Sequence, residues 1–178
     1  TRSFQMYSED MDNSFDDYLP FLQAFQKINT KEETKKRDQL TSLFARWLFI
    51  GSRAEVYFEY GKNDHAWNTR DFLMSPEHSR AYTLGMSKLI PYKGKSEEFI
   101  QLGVEITHLE QSIDRVLRPS GEWYTHFQVS HGYTNRGEVI GAGIGPGGNS
   151  IFMNISWVKG LKQVGLQLER YEHNADLA

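Results

Sequence analysis

Residues 99–107 read Phe-Ile-Gln-Leu-Gly-Val-Glu-Ile-Thr, and apolar and polar side chains alternate along them. Ile100, Leu102, Val104 and Ile106 take every second position, while polar residues and a glycine fill the positions between. Since successive side chains of a β-strand point to opposite faces, this period of two predicts a strand with one apolar and one polar face.

The same alternation recurs along the chain after residue 40. Two tight turns, Gly51-Ser52-Arg53 and Lys159-Gly160-Leu161-Lys162, separate neighbouring segments. We therefore predict seven or eight antiparallel strands, several close to the roughly 9–11 residues that a tilted membrane-spanning strand requires. The further segments are clear at 123–130, 151–157 and 163–169, and weaker at 41–50, 54–60 and 79–89.

The two faces of these strands differ in chemistry. One carries Leu, Ile, Val, Met and Phe, with Trp or Tyr at strand ends, and the other carries Gln, Asn, Glu and Gly. A transmembrane β-barrel has this pattern, because one face meets lipid between aromatic girdles and the other meets a wet lumen. Alternation by itself leaves a soluble β-sandwich or a closed soluble barrel open. The membrane prediction fails if four residues lie together in a closed protein core: Leu102, Val104, Ile155 and Leu166.

Composition narrows the function classes. The chain has 178 residues, enough for one domain, and a formal net charge of −3, which excludes a nucleic-acid binder that works through bulk positive charge. No stretch approaches the roughly 20 apolar residues of a membrane-spanning helix. The chain has no cysteine, which excludes a disulfide framework and a thiolate metal site.

The first forty residues have a different pattern. Apolar residues recur there at helical spacing after Ser14, a suitable N-cap residue. We predict a single domain over 1–178, with a loop and a short helix in 1–40, antiparallel strands in 41–171 and a tail in 172–178. The fold class is all-β: an antiparallel transmembrane β-barrel, or a segment of a larger one, with a short helical insertion near the N-terminus. The residues at helical spacing are Phe15, Tyr18, Leu19, Leu22, Phe25 and Ile28.

Several motifs resemble, in the same order, those of the Wzi family of capsule assembly proteins, in the form seen among Bacteroidetes. The resemblance runs over most of residues 38–171. The motifs are Glu59-Tyr-Gly-Lys-Asn-Asp-His-Ala-Trp67, Pro76-Glu-His-Ser-Arg-Ala-Tyr82, Gly121-Glu-Trp-Tyr-Thr-His126, Val139-Ile-Gly-Ala-Gly-Ile-Gly-Pro-Gly-Gly-Asn149, Ser156-Trp-Val-Lys-Gly-Leu161 and Gln167-Leu-Glu-Arg-Tyr171.

The resemblance implies a large outer-membrane β-barrel that helps to anchor capsular polysaccharide at the cell surface in a lectin-like way. It implies no catalysis and no cofactor. Family members are longer, with an N-terminal helical part and more strands, so this chain resembles a C-terminal-side portion of one.

The long loop after residue 62 supplies the candidate glycan-binding residues. Planar polar side chains hydrogen-bond pairs of sugar hydroxyls, and aromatic rings stack on the C–H faces of sugars. A metal site is not predicted, because no helical or strand spacing places two ligands on one face. The candidates are Asn63, Asp64, His65, Trp67, Arg70, His78 and Arg80.

Acidic residues on the polar faces are predicted to line the lumen. They could resemble a general acid–base pair, but lumen carboxylates commonly pair with Arg or Lys and stiffen a barrel, so structural pairing with Arg46, Arg80 or Arg170 is favoured. The predicted lumen residues are Glu55, Glu59, Glu105 and Glu169.

A Ser-His-Asn hydrolase site is not predicted around residues 126–135. In a strand Ser130 and His131 point to opposite faces, and His126 lies about 13 Å from Ser130. Nor are Gly141 to Gly148 a phosphate loop, since the Lys-Ser/Thr that reaches phosphate is missing. A flexible turn or an in-folded loop, where backbone packs closely, is predicted for these glycines instead. We therefore expect no enzyme activity, no catalytic residue, no metal and no cofactor.

The predicted function is attachment or assembly of capsular or other surface polysaccharide at the bacterial outer membrane, with loops at the cell surface. The expected partners are that polysaccharide and outer-membrane lipid, with other envelope components as further candidates and no nucleic acid. Two alternatives stay open: an outer-membrane diffusion pore and a soluble glycan-binding β-sandwich.

Overall fold

The computed structural model of the protein describes residues 2–7, 15–18, 37–63, 77–93, 97–111, 122–126 and 129–173. For residues 2–7, 16–17 and 37–39 it describes the backbone alone. The described part is dominated by one large antiparallel β-sheet, so the predicted all-β antiparallel class is confirmed.

The large sheet contains seven strands, and two short strands form a separate hairpin. Two short 3-10 helices, η1 (Phe15–Tyr18) and η2 (Ile50–Ser52), complete the described elements. The strands are β1 (Arg2–Tyr7), β2 (Arg37–Phe49), β3 (Ala54–Asn63), β4 (Arg80–Pro91), β5 (Glu98–His108), β6 (Thr134–Asn135), β7 (Glu138–Val139), β8 (Asn149–Lys159) and β9 (Lys162–Glu172).

Strand order in the large sheet follows the chain, except that β5 pairs with β8 across the segment that contains β6 and β7. The register aligns the alternating patterns of neighbouring strands. Leu84 of β4 pairs with Ile106 of β5, which pairs with Ile151 of β8. On one face most apolar residues therefore have apolar cross-strand partners, while polar residues predominate on the other face, so the sheet has one apolar face and one polar face.

The predicted tight turns are confirmed, and left-handed backbone conformations close them. Arg53 ends η2 with φ 50° and donates its N–H to the Ile50 carbonyl. Gly160 lies between β8 and β9 with φ 54°. Arg136 and Gly137 both have positive φ in the two-residue β6–β7 turn, as a tight hairpin with right-handed twist requires.

The buried core lies at one end of the sheet, on its polar face. Leu40, Ala81 and Leu109 come from this end of the sheet, and Trp123, Tyr124 and Tyr133 come from the β5–β8 connection that folds over it. Strand alternation puts Leu40 and Ala81 on the same face as Ser42 and Thr83. The core therefore forms between a loop and the polar face.

Three local predictions change. The segment 123–130 was predicted as a strand, but its described residues form turns and bends, so that prediction is wrong. Residues 2–7 form a strand inside the segment predicted as a loop, and β2 begins at Arg37, before residue 41. Of the predicted helix, the structure describes the four residues of η1, and the remaining positions at helical spacing lie outside the described residues.

Closure of the sheet is not observed. Within the described residues β1 and β9 lie at the two edges, and each pairs with one neighbour. The barrel therefore stays a prediction, while the antiparallel sheet is established.

Candidate functional site

The connections at the two ends of the large sheet differ in length. At one end β2–β3, β4–β5 and β8–β9 are joined by short connections, residues 50–53, 92–97 and 160–161. At the other end β1–β2, β3–β4 and β5–β8 are joined by long segments. We call these the turn end and the loop end.

The apolar face has no protein cover among the described residues. Leu102 is 36% exposed, Ile155 is 51% exposed and Leu166 is 74% exposed. These three are direct neighbours across β5, β8 and β9. The arrangement that would have contradicted the membrane prediction, a closed core around these side chains, is therefore absent from the described structure.

Aromatic residues flank this face at both ends. At the loop end Tyr60 pairs with Tyr82, whose ring stacks on His108 with centroids 4.9 Å apart. At the turn end Trp157 pairs with Val164 of β9 and Ile100 of β5. The apolar rows lie between these two levels.

Two cationic residues lie within the apolar rows, and both direct their charge toward an end of the sheet. The Lys88 ammonium donates to the Ser52 carbonyl in η2, at the turn end. The Arg170 guanidinium forms an ion pair with Glu172, at the loop end. Their aliphatic stems therefore cover apolar surface while the charges sit at the margins.

The polar face carries the four predicted lumen carboxylates. Glu55 accepts from Arg46 Nε at 2.9 Å and from Ser87 Oγ at 3.0 Å, which is the predicted type of pairing. Glu59 accepts from Ser42 Oγ at 2.6 Å. Tyr57 donates to Glu105, two strands away. Glu169 lies on the same face in β9, where it pairs with Phe152.

Glycines on the polar face let side chains lie flat across the sheet. A Cβ at Gly85 would overlap the Tyr57 ring, which crosses β4 here on its way to Glu105. A Cβ at Gly103 would overlap the Asn154 amide in the same manner. The polar residues therefore form a layer against the strands that links β3, β4, β5 and β8.

At the loop end of the polar face, the β5–β8 connection folds onto the sheet. We call its residues 122–126 and 129–148 the in-folded segment. The Trp123 ring lies over Gly61, where a Cβ would be 2.9 Å from it, and Trp123 Nε1 donates to the Arg80 carbonyl at 3.3 Å. Tyr171 Oη donates to the Ile144 carbonyl at 3.0 Å, which attaches the segment to β9 as well.

Tyr124 organises the interior of the in-folded segment. Its hydroxyl accepts from Ala142 N–H at 2.9 Å, its carbonyl accepts from Tyr133 N–H at 3.1 Å, and its ring occupies the space that a Cβ at Gly141 would need. Burial raises the pKa of the Tyr124 phenol, and the charge of Glu59 acts in the same direction. The phenol is therefore held neutral as part of the fold.

Of the seven predicted glycan-binding residues, three are described and the structure does not gather them into one site. Asn63 is buried on the polar face, where its Nδ2 donates to the Glu122 carbonyl at 3.3 Å. Arg80 starts β4 on the apolar-face side, paired in register with Lys62, bonded to Glu77 at 3.1 Å and stacked over Tyr82. His78 is half-buried in the turn before β4. Asp64, His65, Trp67 and Arg70 lie outside the described residues.

The sequence predicts the in-folded segment only in part: a flexible turn or an in-folded loop is expected at Gly141 to Gly148, but the burial of Trp123 and Tyr124 was missed. Its signals were two adjacent aromatic residues, Trp123 and Tyr124, and the glycines at 141 and 148, which leave room for a ring or a backbone to approach closely. Within this segment Val129 N–H donates to His126 Nδ1 at 3.3 Å. Since neither His126 nor Ser130 lies in a strand, the strand argument against a hydrolase site no longer applies to them, although His126 Nδ1 already accepts from the backbone.

Membrane-spanning helices and metal-binding clusters are both absent from the described residues. In the described part of the chain no helix has the length and hydropathy to cross a membrane. The same residues contain no group of three or more His, Asp or Glu side chains placed to hold a metal ion.

Comparison with known proteins gives no match: the chain matches no family model, no curated protein and no solved structure.

Proposed function

We propose that this chain is part of an outer-membrane β-barrel that attaches or assembles capsular or other surface polysaccharide without catalysing a reaction. The observation that carries the proposal is the inversion of the two faces: the apolar face is exposed, and the polar face holds the core. An apolar surface that extends over neighbouring strands requires a partner or an apolar solvent. The hydrocarbon of a bilayer is such a solvent, and strands can span it only when their backbone groups are paired.

The height of the apolar face fits a bilayer. His108 and Ile100 mark its loop-end and turn-end rows on β5 and are eight residues apart. Eight residues of strand rise about 27 Å, and a tilt of about 40° leaves about 21 Å along the membrane normal. The apolar band of outer-membrane barrels is about 25 Å tall.

The difference in length between the connections at the two ends predicts which end of the sheet faces the cell exterior. Outer-membrane barrels have short periplasmic turns and longer outside loops. By that rule the loop end faces the cell exterior, and the turn end faces the periplasm. Most of the segments that resemble the Wzi family lie at the loop end or lead into it, and this resemblance is the support for a role with polysaccharide.

An anchor is favoured over a diffusion pore because of the in-folded segment. Trp123, Tyr124 and Tyr133 are buried against the polar face, where a solute path would run. A pore requires this space to be open to water.

The soluble β-sandwich is disfavoured by the exposed face. A sandwich packs a second sheet on the apolar face at a distance of about 10 Å. In the described residues the second sheet is the two-stranded β6–β7 hairpin, which belongs to the in-folded segment on the polar side.

Fractionation of the native host tests the membrane half of the proposal. The natural full-length protein should sediment with outer membranes and need detergent for extraction. Recovery of a folded protein from the aqueous fraction without detergent would contradict it.

Retention of polysaccharide on the cell surface tests the proposed role in polysaccharide attachment. A strain that lacks the gene should release surface polysaccharide into the medium, and the natural gene should restore retention. The variants Asp64→Ala and Trp67→Ala should restore less than the wild type, whereas Arg136→Ala, in the exposed β6–β7 turn, should restore retention fully. Equal retention with and without the gene would remove the role.

A further inference from the structure

The turn end of the sheet has a surface of uneven charge. We call it the turn rim and define it as residues 50–53, 88, 91–93, 97–98 and 159–162. It contains five cationic side chains and two acidic ones among the described residues. The described residues of the loop end, 61–63, 77–80, 108–111, 122–126, 129–149 and 170–173, contain four cationic and five acidic side chains. The cationic rim residues are Arg53, Lys88, Lys93, Lys159 and Lys162.

The ion pairs of the turn rim leave most of its positive charge uncompensated. Lys159 Nζ lies 2.9 Å from Glu98, a buried carboxylate, so this pair is neutral. Glu97 is the other acidic residue of the rim. Four cationic side chains therefore face one carboxylate.

Contacts hold the cations beside apolar and aromatic surface. The Lys93 ammonium lies over the Tyr92 ring at 5.1 Å. The Arg53 guanidinium lies over the Phe99 ring at 5.1 Å, on the side of the polar face, because Phe99 alternates with Ile100. Lys88 rises from the apolar face and bonds at η2. Cations next to aromatic rings and at the margin of an apolar face are typical of the layer where lipid headgroups meet hydrocarbon.

The tips of two turns are apolar and exposed. Ile50 begins η2, and Leu161 follows Gly160 between β8 and β9, and both side chains are exposed. Two exposed aliphatic tips beside four cations are unusual for a surface that faces only water. They match an interface where apolar groups and positive charge meet the same ligand.

We infer that the turn rim binds the headgroups of anionic phospholipids in the inner leaflet of the membrane, which the apolar face enters. This inference rests on the proposed function, since it needs an inserted sheet with its turns at the inner side. Phosphate diesters supply the negative charge, and the acyl chains of the same molecules contact the apolar rows. Each basic residue near an anionic membrane surface strengthens binding roughly fivefold.

The test uses the natural full-length protein, purified in a neutral detergent. Phosphatidylglycerol and phosphatidylcholine are added separately, and the midpoint of thermal unfolding is followed. Phosphatidylglycerol should raise the midpoint by an amount on the order of 5 °C more than phosphatidylcholine at equal concentration. The difference should shrink in 1 M salt, because the Debye length falls to about 3 Å.

Two fourfold variants test whether phosphatidylglycerol binds at the turn rim. A rim variant that combines Arg53→Gln, Lys88→Gln, Lys93→Gln and Lys162→Gln should weaken phosphatidylglycerol binding by almost three orders of magnitude (about fivefold for each of four residues), measured by native mass spectrometry of lipid adducts. The matched control removes four cations at the loop end: Lys62→Gln, Arg80→Gln, Arg136→Gln and Arg170→Gln.

The results that would contradict the inference are distinct from those that would contradict the proposed function. Equal stabilisation by the two lipids, or equal weakening by the rim and control variants, overturns the rim site while the protein remains a membrane protein. Stronger weakening by the control variant would place the anionic ligand at the loop end and also overturn the inference. A protein that needs no detergent would overturn the proposed function itself.

Discussion

Trp47 and Trp123 show how differently the two faces of the sheet are built. Trp47 lies on the apolar face and is 58% exposed, whereas Trp123 lies on the polar face and is 6% exposed. In a water-soluble sheet the apolar face buries its aromatic residues and the polar face exposes them. Here the order is reversed, and this contrast is the reason for proposing that the apolar face meets hydrocarbon instead of water.

The largest expected effect comes from a substitution that disrupts the core on the polar face. Trp123→Ala removes the ring over Gly61 and its hydrogen bond to the Arg80 carbonyl. Replacing a buried Trp with Ala costs about 3–5 kcal/mol, so the free energy of unfolding in detergent should fall by about 3 kcal/mol or more. The measurement is denaturant unfolding followed by tryptophan fluorescence.

The matched control is Trp47→Ala, which should lower the free energy of unfolding by less than half as much in the same detergent. An equal loss in both variants would mean that protein covers the apolar face, and the contrast between the two faces would be wrong.

The second effect tests what touches the apolar face. Met153 lies in the central row, between Val104 of β5 and Leu168 of β9. Met153→Arg should lower the free energy of unfolding in a bilayer by about 2–4 kcal/mol, because the charge would sit near the midplane. Leu161→Arg, at the exposed turn tip, should cost about 0–1 kcal/mol in the same assay. If both variants fold equally well in vesicles, the apolar face does not contact hydrocarbon.

A third, smaller effect tests the flat polar layer. Gly85→Ala places a Cβ where the Tyr57 ring lies and should cost about 1–3 kcal/mol of unfolding free energy through overpacking. In a Tyr57→Ala background the same change should cost far less, because the clash is gone and the two effects are not additive. Gly51→Ala, with open space around its Cβ position, is the control. Additive costs would show that Tyr57 does not lie across Gly85.

The strands could be predicted from the sequence because alternation is local. Ile100 to Ile106 carry the pattern within a few residues, and one face of a sheet is enough to produce it. The segment 123–130 carries the same pattern, but its described residues form no strand. Trp123 and Tyr124 are adjacent and both buried, which requires contacts on two sides. Tertiary packing against Gly61 and Gly141 decides this, and no window of sequence contains those contacts.

The candidate site was less predictable because register is not local. Asn63 and Arg80 are close in space at the start of the β3–β4 connection, yet they lie on opposite faces of the sheet. Sequence supplied the residue types that suit sugars but could not say which face each would occupy. The pairing of Lys62 with Arg80 settles that question for the described residues.

The smallest expected effect concerns how the free energy of unfolding depends on pH, which tests the core on the polar face. Tyr124→Phe removes the hydroxyl that accepts from Ala142 N–H and should cost about 1 kcal/mol of unfolding free energy at neutral pH. The raised pKa of Tyr124 means that the unfolded chain ionises this phenol near pH 10, while the folded protein still holds its proton. The unfolded state then binds fewer protons than the folded state, so stability falls as pH rises above about 10.

The phenylalanine variant lacks this titration, and its deficit against the wild type should shrink as pH passes about 10. Parallel denaturant titrations of both proteins between neutral pH and about pH 11 measure the difference directly and cancel the tyrosines that they share. A deficit that stays constant over this range would mean that Tyr124 ionises equally in both states. Water would then reach its hydroxyl in the folded protein, and the polar face would hold an open space where the structure has a packed one.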